Sequence, residues 1–203
     1  MPLWRSSGPL VLASKSLARR QMLVAAGIPV EAMPADIDER AVEDAFGHAD
    51  RPDEIALHLA QEKAKAVAAR MPGRLVIGAD QTLAMGTQRF SKPADVGEAR
   101  LQLRALRGQR HRLHSAVALV RDDQLLFRHE DAARLVMRDI SDEFLDIYLE
   151  AAGHTVTESV GGYQLERTGI HLFERVEGDH FTILGMPLLP LLEALRRFGF
   201  LAG

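Results

Sequence analysis

Four short stretches of this chain carry side chains that could handle an anion. In LVLASKSLARRQMLVAAGI, residues 10–28, an apolar run stops at Ser14 and a helix opens behind it. Backbone N–H groups gather where a strand hands over to a helix, and the helix dipole favours negative charge there. Ser14 and Ser16 add hydroxyls. Arg19 and Arg20 add permanent charge in a fork that matches phosphate. The same residues also suit a capped helix with solvated charge. In GADQTL, the apolar run Leu75–Ile77 delivers Asp80 to the C-terminal end of a strand, the end at which α/β sheets bind ligands. An Asp there could hold a divalent cation or activate a water, or simply close a turn. In FSKP, Lys92 precedes a proline on extended backbone and could reach a phosphate or a carboxylate, or lie on the surface. In GGYQLERTGIHLFERVEGD, Gly161 and Gly162 would let backbone approach a ligand closely. Glu166 follows them and could accept hydrogen bonds from a base, or be a solvated loop carboxylate.

Two more charges need placing. Lys63 lies four residues after Leu59 and eight after Ile55, on or beside the apolar face of a helix. It either snorkels or points into a polar cleft. Glu39, in DIDER, is one of several acids and says little alone.

The elements that must position these residues alternate between strand and helix. PLVLA at 9–13 predicts a short buried strand, and 17–26 a helix closed by Gly27. IPVEAMPADIDE predicts extended chain, since its two prolines discourage helix. RPDEIALHLAQEKAKAVAARM predicts a helix, with Pro52 in its first turn and Asp53 and Glu54 complementing the dipole. Ile55, Leu59, Ala66 and Val67 fall at helical spacing. GRLVIGAD predicts a buried strand ending on Asp80, and ADVGEARLQLRAL a helix stopped by Gly108. HRLHSAVALVRDD and EDAARLVMRDI predict paired strands joined around 122–124. SDEFLDIYLEAAG predicts a helix capped by Ser141, GIHLFERV a strand, and PLLPLLEALRRFG a last helix ended by Gly199. The expected fold is α/β: a mixed twisted sheet flanked by helices, in one domain spanning 1–203, with a central cleft.

Composition narrows the chemistry. The 203 residues suffice for a sizeable core. A net charge of -3 gives no bulk reason to expect a nucleic-acid polymer as partner. With no cysteine, disulfides, thiolate metal sites and a Cys nucleophile are excluded. No apolar run approaches the ~20 residues of a membrane span, and the N-terminus lacks the layout of a secretory signal, so no membrane partner and a cytoplasmic location are expected. His111 and His114, three apart in a predicted strand, face opposite sides, and His154, His171 and His180 are scattered. Neither G-x-x-x-x-G-K-[ST] nor H-E-x-x-H occurs.

Taken in order, these stretches resemble the Maf proteins from about Leu10 to Gly199: LASKSLARR, then the acidic pair in DIDER, EKAKAVA, IGAD, KP, LRALRGQRH, the Gly-Gly loop and GMPL. The resemblance implies a fold like that of the inosine triphosphate pyrophosphatases. It implies hydrolysis of a nucleoside triphosphate between its α- and β-phosphates, giving the monophosphate and pyrophosphate. A divalent cation, Mg or Mn, is implied, as is the homodimer that many members form. Ser14 and Arg19 match the phosphate-binding motif, Glu39 the acidic position, Lys63 the helix lysine, Asp80 the catalytic acid and Lys92 the lysine before proline. The implied roles are catalysis for Asp80, Lys92 and Lys63, and metal binding for Glu39 and Asp80. Ser14, Arg19, Gln81 and Glu166 would bind substrate.

Three departures from the common Maf pattern carry information. Leu17 and Ala18 stand before Arg19 where many members carry another arginine. Asp80 is followed by Gln81 rather than Thr, and Glu166 stands where the common form has Gln. With GIHLFERVEG, these resemble the subfamily acting on 7-methyl-GTP more than the dTTP/UTP-cutting form. A nucleotide-binding regulator of septum formation without catalysis is the reading from a different class.

Overall fold

The computed structural model describes residues 2–47 and 51–203. The sheet is mixed, as expected, and runs in the order β2 (Val30–Ala32), β1 (Leu10–Leu12), β3 (Leu75–Met85), β5 (Arg110–Arg121), β6 (Gln124–Met137), β7 (Phe173–Glu177). The short β4 (Gln88–Phe90) pairs with the far end of β3. β1 is parallel to β2 and β3, whereas β3, β5, β6 and β7 pair antiparallel in succession. The helices are α1 (Leu17–Ala25), α2 (Glu39–Phe46), α3 (Pro52–Ala68), α4 (Val96–Leu106), α5 (Asp142–Ala152), α6 (His180–Ile183) and α7 (Leu188–Arg197). Among the described residues, no helix is long and apolar enough to cross a membrane.

Three buried clusters surround the sheet. Leu10, Leu12, Leu23, Ile77, Leu119 and Leu191 join β1, β3 and β5 to α1 and α7 on one face. Ala56, Ala60, Ala64 and Val67 of α3 meet Val11, Val76, Ala116 and Ala118 on the other. Beyond Leu83, α4, α5 and the chain before β7 enclose Leu103, Leu106, Leu135, Leu145 and Leu172. The cleft opens between the first two clusters and the third.

Four features depart from the expectations. Extended chain was expected over 28–39 and no element beyond it, yet α2 starts at Glu39: Asp38 caps it by accepting from the Ala41 N–H at 3.1 Å and Gly47 closes it in the left-handed region. The prolines end before Asp38, so they restrain only the chain leading in. GIHLFERV is strand only from Phe173. Its first residues form a 3-10 turn over Thr168–Leu172, because Gly169 packs on Gln164, where a Cβ would come within 2.4 Å of the carbonyl oxygen. The third correction concerns α3, whose buried face runs through Ala56, Ala60 and Ala64 while Ala66 is only half-buried. The fourth concerns Asp80, which lies in the middle of β3 and not at its end. β5 pairs with β3 as far as Ala84 and so carries the strand onward. What stops near Asp80 is β1, whose last partner is Ile77, and that ending leaves one edge of β3 open.

The alanine seam has a partner in the strand. A Cβ on Gly78 would sit 1.9 Å from the Ala60 carbonyl oxygen and 2.7 Å from the Ala64 nitrogen. Only a glycine lets α3 cross β3 this closely, and the crossing brings Lys63 over Asp80. Gly78→Ala should therefore lower stability by at least about 2 kcal/mol, through overpacking against backbone that cannot swing aside. The check is a urea titration: a lower midpoint at unchanged slope is expected, and an unaltered midpoint would show that α3 is not held by this contact.

Candidate active site

A cavity of about 940 Å³ lies in the cleft, at the upper end of the roughly 300–1,000 Å³ usual for ligand sites. Ser14, Arg19, Glu39, Lys63, Asp80, Gln81, Lys92 and Glu166 all line it. Residues drawn from Ser14 to Glu166 thus converge on one cavity.

At its floor, the Lys63 ammonium is held by two carboxylates, 2.5 Å from Asp80 Oδ1 and 2.8 Å from Glu39 Oε1. Lys63 and Asp80 are 8% and 6% exposed, so this is an ion pair shielded from solvent, whose strength depends on keeping both partners. Lys63 does not snorkel; it points into the polar cleft. Glu39 reaches it from the first turn of α2, the helix missing from the sequence reading.

The β1–α1 junction forms the second wall. Ser16 caps α1 by accepting from the Arg19 N–H at 3.3 Å. That leaves the N–H groups of Leu17 and Ala18 in the first turn without intrahelical acceptors, and both residues line the cavity. Ser14 Oγ accepts from the Ser16 N–H and from Arg19 Nη1, each at 3.2 Å, so its own proton remains to be donated. Arg19 also donates from Nε to the Gly185 carbonyl at 2.9 Å and from Nη1 to the Ala79 carbonyl at 2.8 Å. It therefore ties α1 to the residue before Asp80 and to the GMPL turn, and keeps only Nη2 for an anion. Burial pulls its guanidinium below the ordinary arginine value, while Asp80 and Glu39 pull the other way. Arg20 points elsewhere: it is exposed and borders a shallow surface dent with Val24 and Ala25. Lys15 does line the cavity, 3.7 Å from Asp36.

Lys92 makes no hydrogen bond or ion pair among the described residues. Partial desolvation, reinforced by Arg19 and Lys63, lowers its ammonium below the ordinary lysine value, against the opposing pull of Glu39 and Asp80. A cation held among other cations is poised to gain from an incoming anion.

Gln81 faces away from α3. Its amide donates to Ser115 Oγ at 2.9 Å and to the Ile183 carbonyl at 3.0 Å, fastening α6 to the sheet, so those donors are spent within the protein. Glu166 is exposed and unpaired among the described residues, in the turn 164–167 closed by the Arg167 N–H to the Gln164 carbonyl at 3.1 Å. The glycine pair before it does not approach the cavity. Gly161 and Gly162 are buried with positive φ, and added Cβ atoms would press on Leu83 and Ala99, so they serve packing.

Three arginines escaped the sequence reading. Arg89 lines the cavity in an ion pair with Glu43 at 2.8 Å, while Arg40 and Arg167 line it without carboxylate partners among the described residues. Arg40 and Arg167 each directly follow a singled-out glutamate, which was the available signal. His111 and His114 do face opposite sides, toward Tyr163 and Glu130 respectively.

A divalent cation fits this donor set. Glu39 and Asp80 already converge on one positive group; the protein supplies two carboxylates there, and no group of three or more His, Cys, Asp or Glu side chains that could hold a metal forms among the described residues. Two carboxylates, with phosphate oxygens and waters completing the shell, suit Mg²⁺ or Mn²⁺.

Residues 9–198 match the family model described as Maf-like protein. The chain is 55% identical over 202 residues to a nucleoside triphosphate pyrophosphatase of Rhodopseudomonas palustris (strain BisB18), with 100% of both chains covered. It is 49% identical to a 7-methyl-GTP pyrophosphatase of Rhizobium etli, with 96% of this chain and 98% of that one covered. A HAM1 protein from Coxiella burnetii aligns in structure over 64% of this chain and 73% of its own, at 18% identity and a TM-score of 0.40.

Proposed function

The chain belongs to the Maf-like family, and on that premise we propose that it hydrolyses nucleoside triphosphates to the monophosphate and pyrophosphate, with 7-methyl-GTP favoured. The observation that carries this reading is the Glu39–Lys63–Asp80 cluster at the floor of a cavity walled by Arg19 and Lys92. Such a triphosphate carries about four negative charges, and holding them while a water attacks is most of the catalytic task in phosphoryl chemistry.

The steps follow from the residues. The first-turn N–H groups of α1, the Ser14 hydroxyl, Arg19 Nη2 and Lys92 hold phosphate oxygens. Asp80 Oδ1 is engaged by Lys63, which leaves Oδ2 to take a proton from a water. The water oxygen bonds to the α-phosphorus as the bridge to the β-phosphorus breaks, and pyrophosphate leaves with the electron pair. Glu39 and the Asp80 Oδ1 that the ammonium otherwise takes would hold the divalent cation, which when bound supplies charge neutralisation to the phosphate oxygens.

Glu166 supports the base preference. A guanine edge offers N1–H and N2–H₂, and one carboxylate accepts from both. Methylation at N7 makes the base cationic, so a carboxylate gains further. Uracil and thymine offer a donor flanked by acceptors, which a Gln amide serves better. Glu166→Gln should therefore lower the ratio of kcat/KM on 7-methyl-GTP to that on UTP by about tenfold or more, the worth of a hydrogen bond to a charged group. An unchanged ratio would remove Glu166 from base selection.

The direct test is pyrophosphate release with Mg²⁺, and then Mn²⁺, across 7-methyl-GTP, GTP, UTP, dTTP, CTP and ATP. A preference for 7-methyl-GTP is expected. A preference for UTP or dTTP would keep the chemistry and overturn the base assignment. No release from any nucleotide would favour the nucleotide-binding regulator.

A further inference from the structure

His111 closes the segment LRALRGQRH and takes no part in the chemistry above. It is 2% exposed on β5, on the side of the sheet away from α3. Its Nε2 lies 2.8 Å from the Tyr163 hydroxyl, and its Nδ1 is buried without a partner among the described residues. His111, Tyr163 and Phe173 form a ring cluster, with Tyr163 edge-on to Phe173 at 4.8 Å between centroids. Burial lowers the imidazole to about 4, so the ring is neutral at ordinary pH and makes a single uncharged hydrogen bond.

Tyr163 stands in the wall of the cavity, with its hydroxyl and ring held from the core side. Its carbonyl accepts from Ser159 Oγ at 2.5 Å. Tyr148 holds the preceding Gly162 carbonyl at 3.1 Å, and the next residue, Gln164, opens the turn that carries Glu166. Gln164 also donates to Glu158 at 3.1 Å and abuts Gly169. The turn is therefore pinned at its root from the core side, while the Glu166 carboxylate makes no hydrogen bond or ion pair among the described residues. A free carboxylate discriminates between base edges only if its backbone is held, because specificity depends on supporting contacts that fix the recognising group.

We infer that His111 is a positioning residue for base selection: through Tyr163 it fixes the turn that presents Glu166 to the nucleotide. This rests on the reading of Glu166 as the base-recognising group. Phosphate holding and water activation lie at the β1–α1 junction and on β3, so loss of the His111–Tyr163 bond should blur the choice of base and leave the chemical step in place.

The test uses His111→Phe, Tyr163→Phe and the double variant in the full-length protein, with kcat and KM measured separately for every nucleotide of the panel. In each variant, the kcat/KM ratio between the wild type's best and worst nucleotides should fall about tenfold, through KM, with kcat on the best within about twofold. The double variant should match the singles, because all three break one link. Each single variant leaves a polar group without its partner and the double leaves none, so the melting midpoint should recover in the double while selectivity does not. Selectivity that recovers with the midpoint would make the pair merely structural. An unchanged ratio, or kcat falling equally on all nucleotides, would also overturn the inference, as would a wild type with no preference. A wild type that prefers UTP overturns the 7-methyl-GTP reading instead, and is seen before any variant is made. If no nucleotide is hydrolysed, calorimetric binding constants over the same panel give the same ratio.

Discussion

Asp80→Asn should bind nucleoside triphosphate and release pyrophosphate about 10²- to 10⁴-fold more slowly than the wild type, the usual contribution of a positioned general base. The substitution keeps the shape of the side chain. Its amide oxygen can still accept from the Lys63 ammonium, so the 2.5 Å contact has a neutral replacement and the floor of the cavity need not collapse. What disappears is the basicity of the second oxygen and one negative charge. Calorimetry with the substrate should give an affinity within about tenfold of the wild type, because the phosphate-holding groups on α1 and Lys92 are untouched and removing a carboxylate relieves repulsion toward the anion. Steady-state assays should place the loss in kcat, the mark of an interaction made in the transition state. Retention of more than a tenth of the wild-type kcat would show that another group activates the water.

The sequence exposed the parts of this site that depend on local order, and hid those that depend on neighbours. The β1–α1 exit was readable because Ser14, Ser16 and Arg19 lie within six residues of sequence. The helix under Lys63 was readable from its own period. The location of Asp80 was only half readable. Its strand is apolar up to Ala79, but the opening beside it is set by the length of β1, and nothing in GRLVIGAD records that β1 stops pairing at Ile77. α2 escaped because its buried face is slight, with no fully buried residue. Its apolar and polar residues do segregate, but over eight residues, little more than two turns, and Asp38 and Gly47 marked its ends. Arg19 shows a different limit. Its position at the anion-binding end of α1 was legible, but its bonds to the Ala79 and Gly185 carbonyls join residues that are distant in sequence. Its role as a tie between α1, β3 and the GMPL turn could come only from the fold. The glycine pair at 161–162 inverts the case: the freedom of the residue type was read correctly, but what the backbone approaches is Leu83 and Ala99 and no ligand.

Lys63→Met separates the two tasks that converge on one point. In the wild type, a single ammonium neutralises Glu39 and Asp80 across a gap spanned by contacts of 2.8 and 2.5 Å. Methionine preserves most of the apolar stem, and α3 packs on β3 through its alanines, so the helix keeps its seat. The two carboxylates then face each other without the ammonium that bridges them, with only the more distant charges of Arg19 and Lys92 nearby. Stability should fall by about 3 kcal/mol, the cost of leaving the buried Asp80 charge unpaired, since the Glu39 carboxylate is half exposed and solvent screens it. It should be regained in large part in Lys63→Met/Asp80→Asn, which removes one charge of the facing pair. Activity should fall at least about 10²-fold, since a preorganised charge beside the reacting group is lost. The affinity of the protein alone for Mn²⁺ should rise, because a divalent cation no longer competes with the ammonium for Asp80 Oδ1 and Glu39 Oε1. Titration of Mn²⁺ followed by its electron spin resonance signal reads this directly, without substrate or turnover. Tighter Mn²⁺ binding in Lys63→Met, lost again when Asp80 is also replaced, would identify the lysine as occupying part of the cation's ligand set. Unchanged or weaker binding would mean that the cation is held by other groups, and that Lys63 serves Asp80 alone.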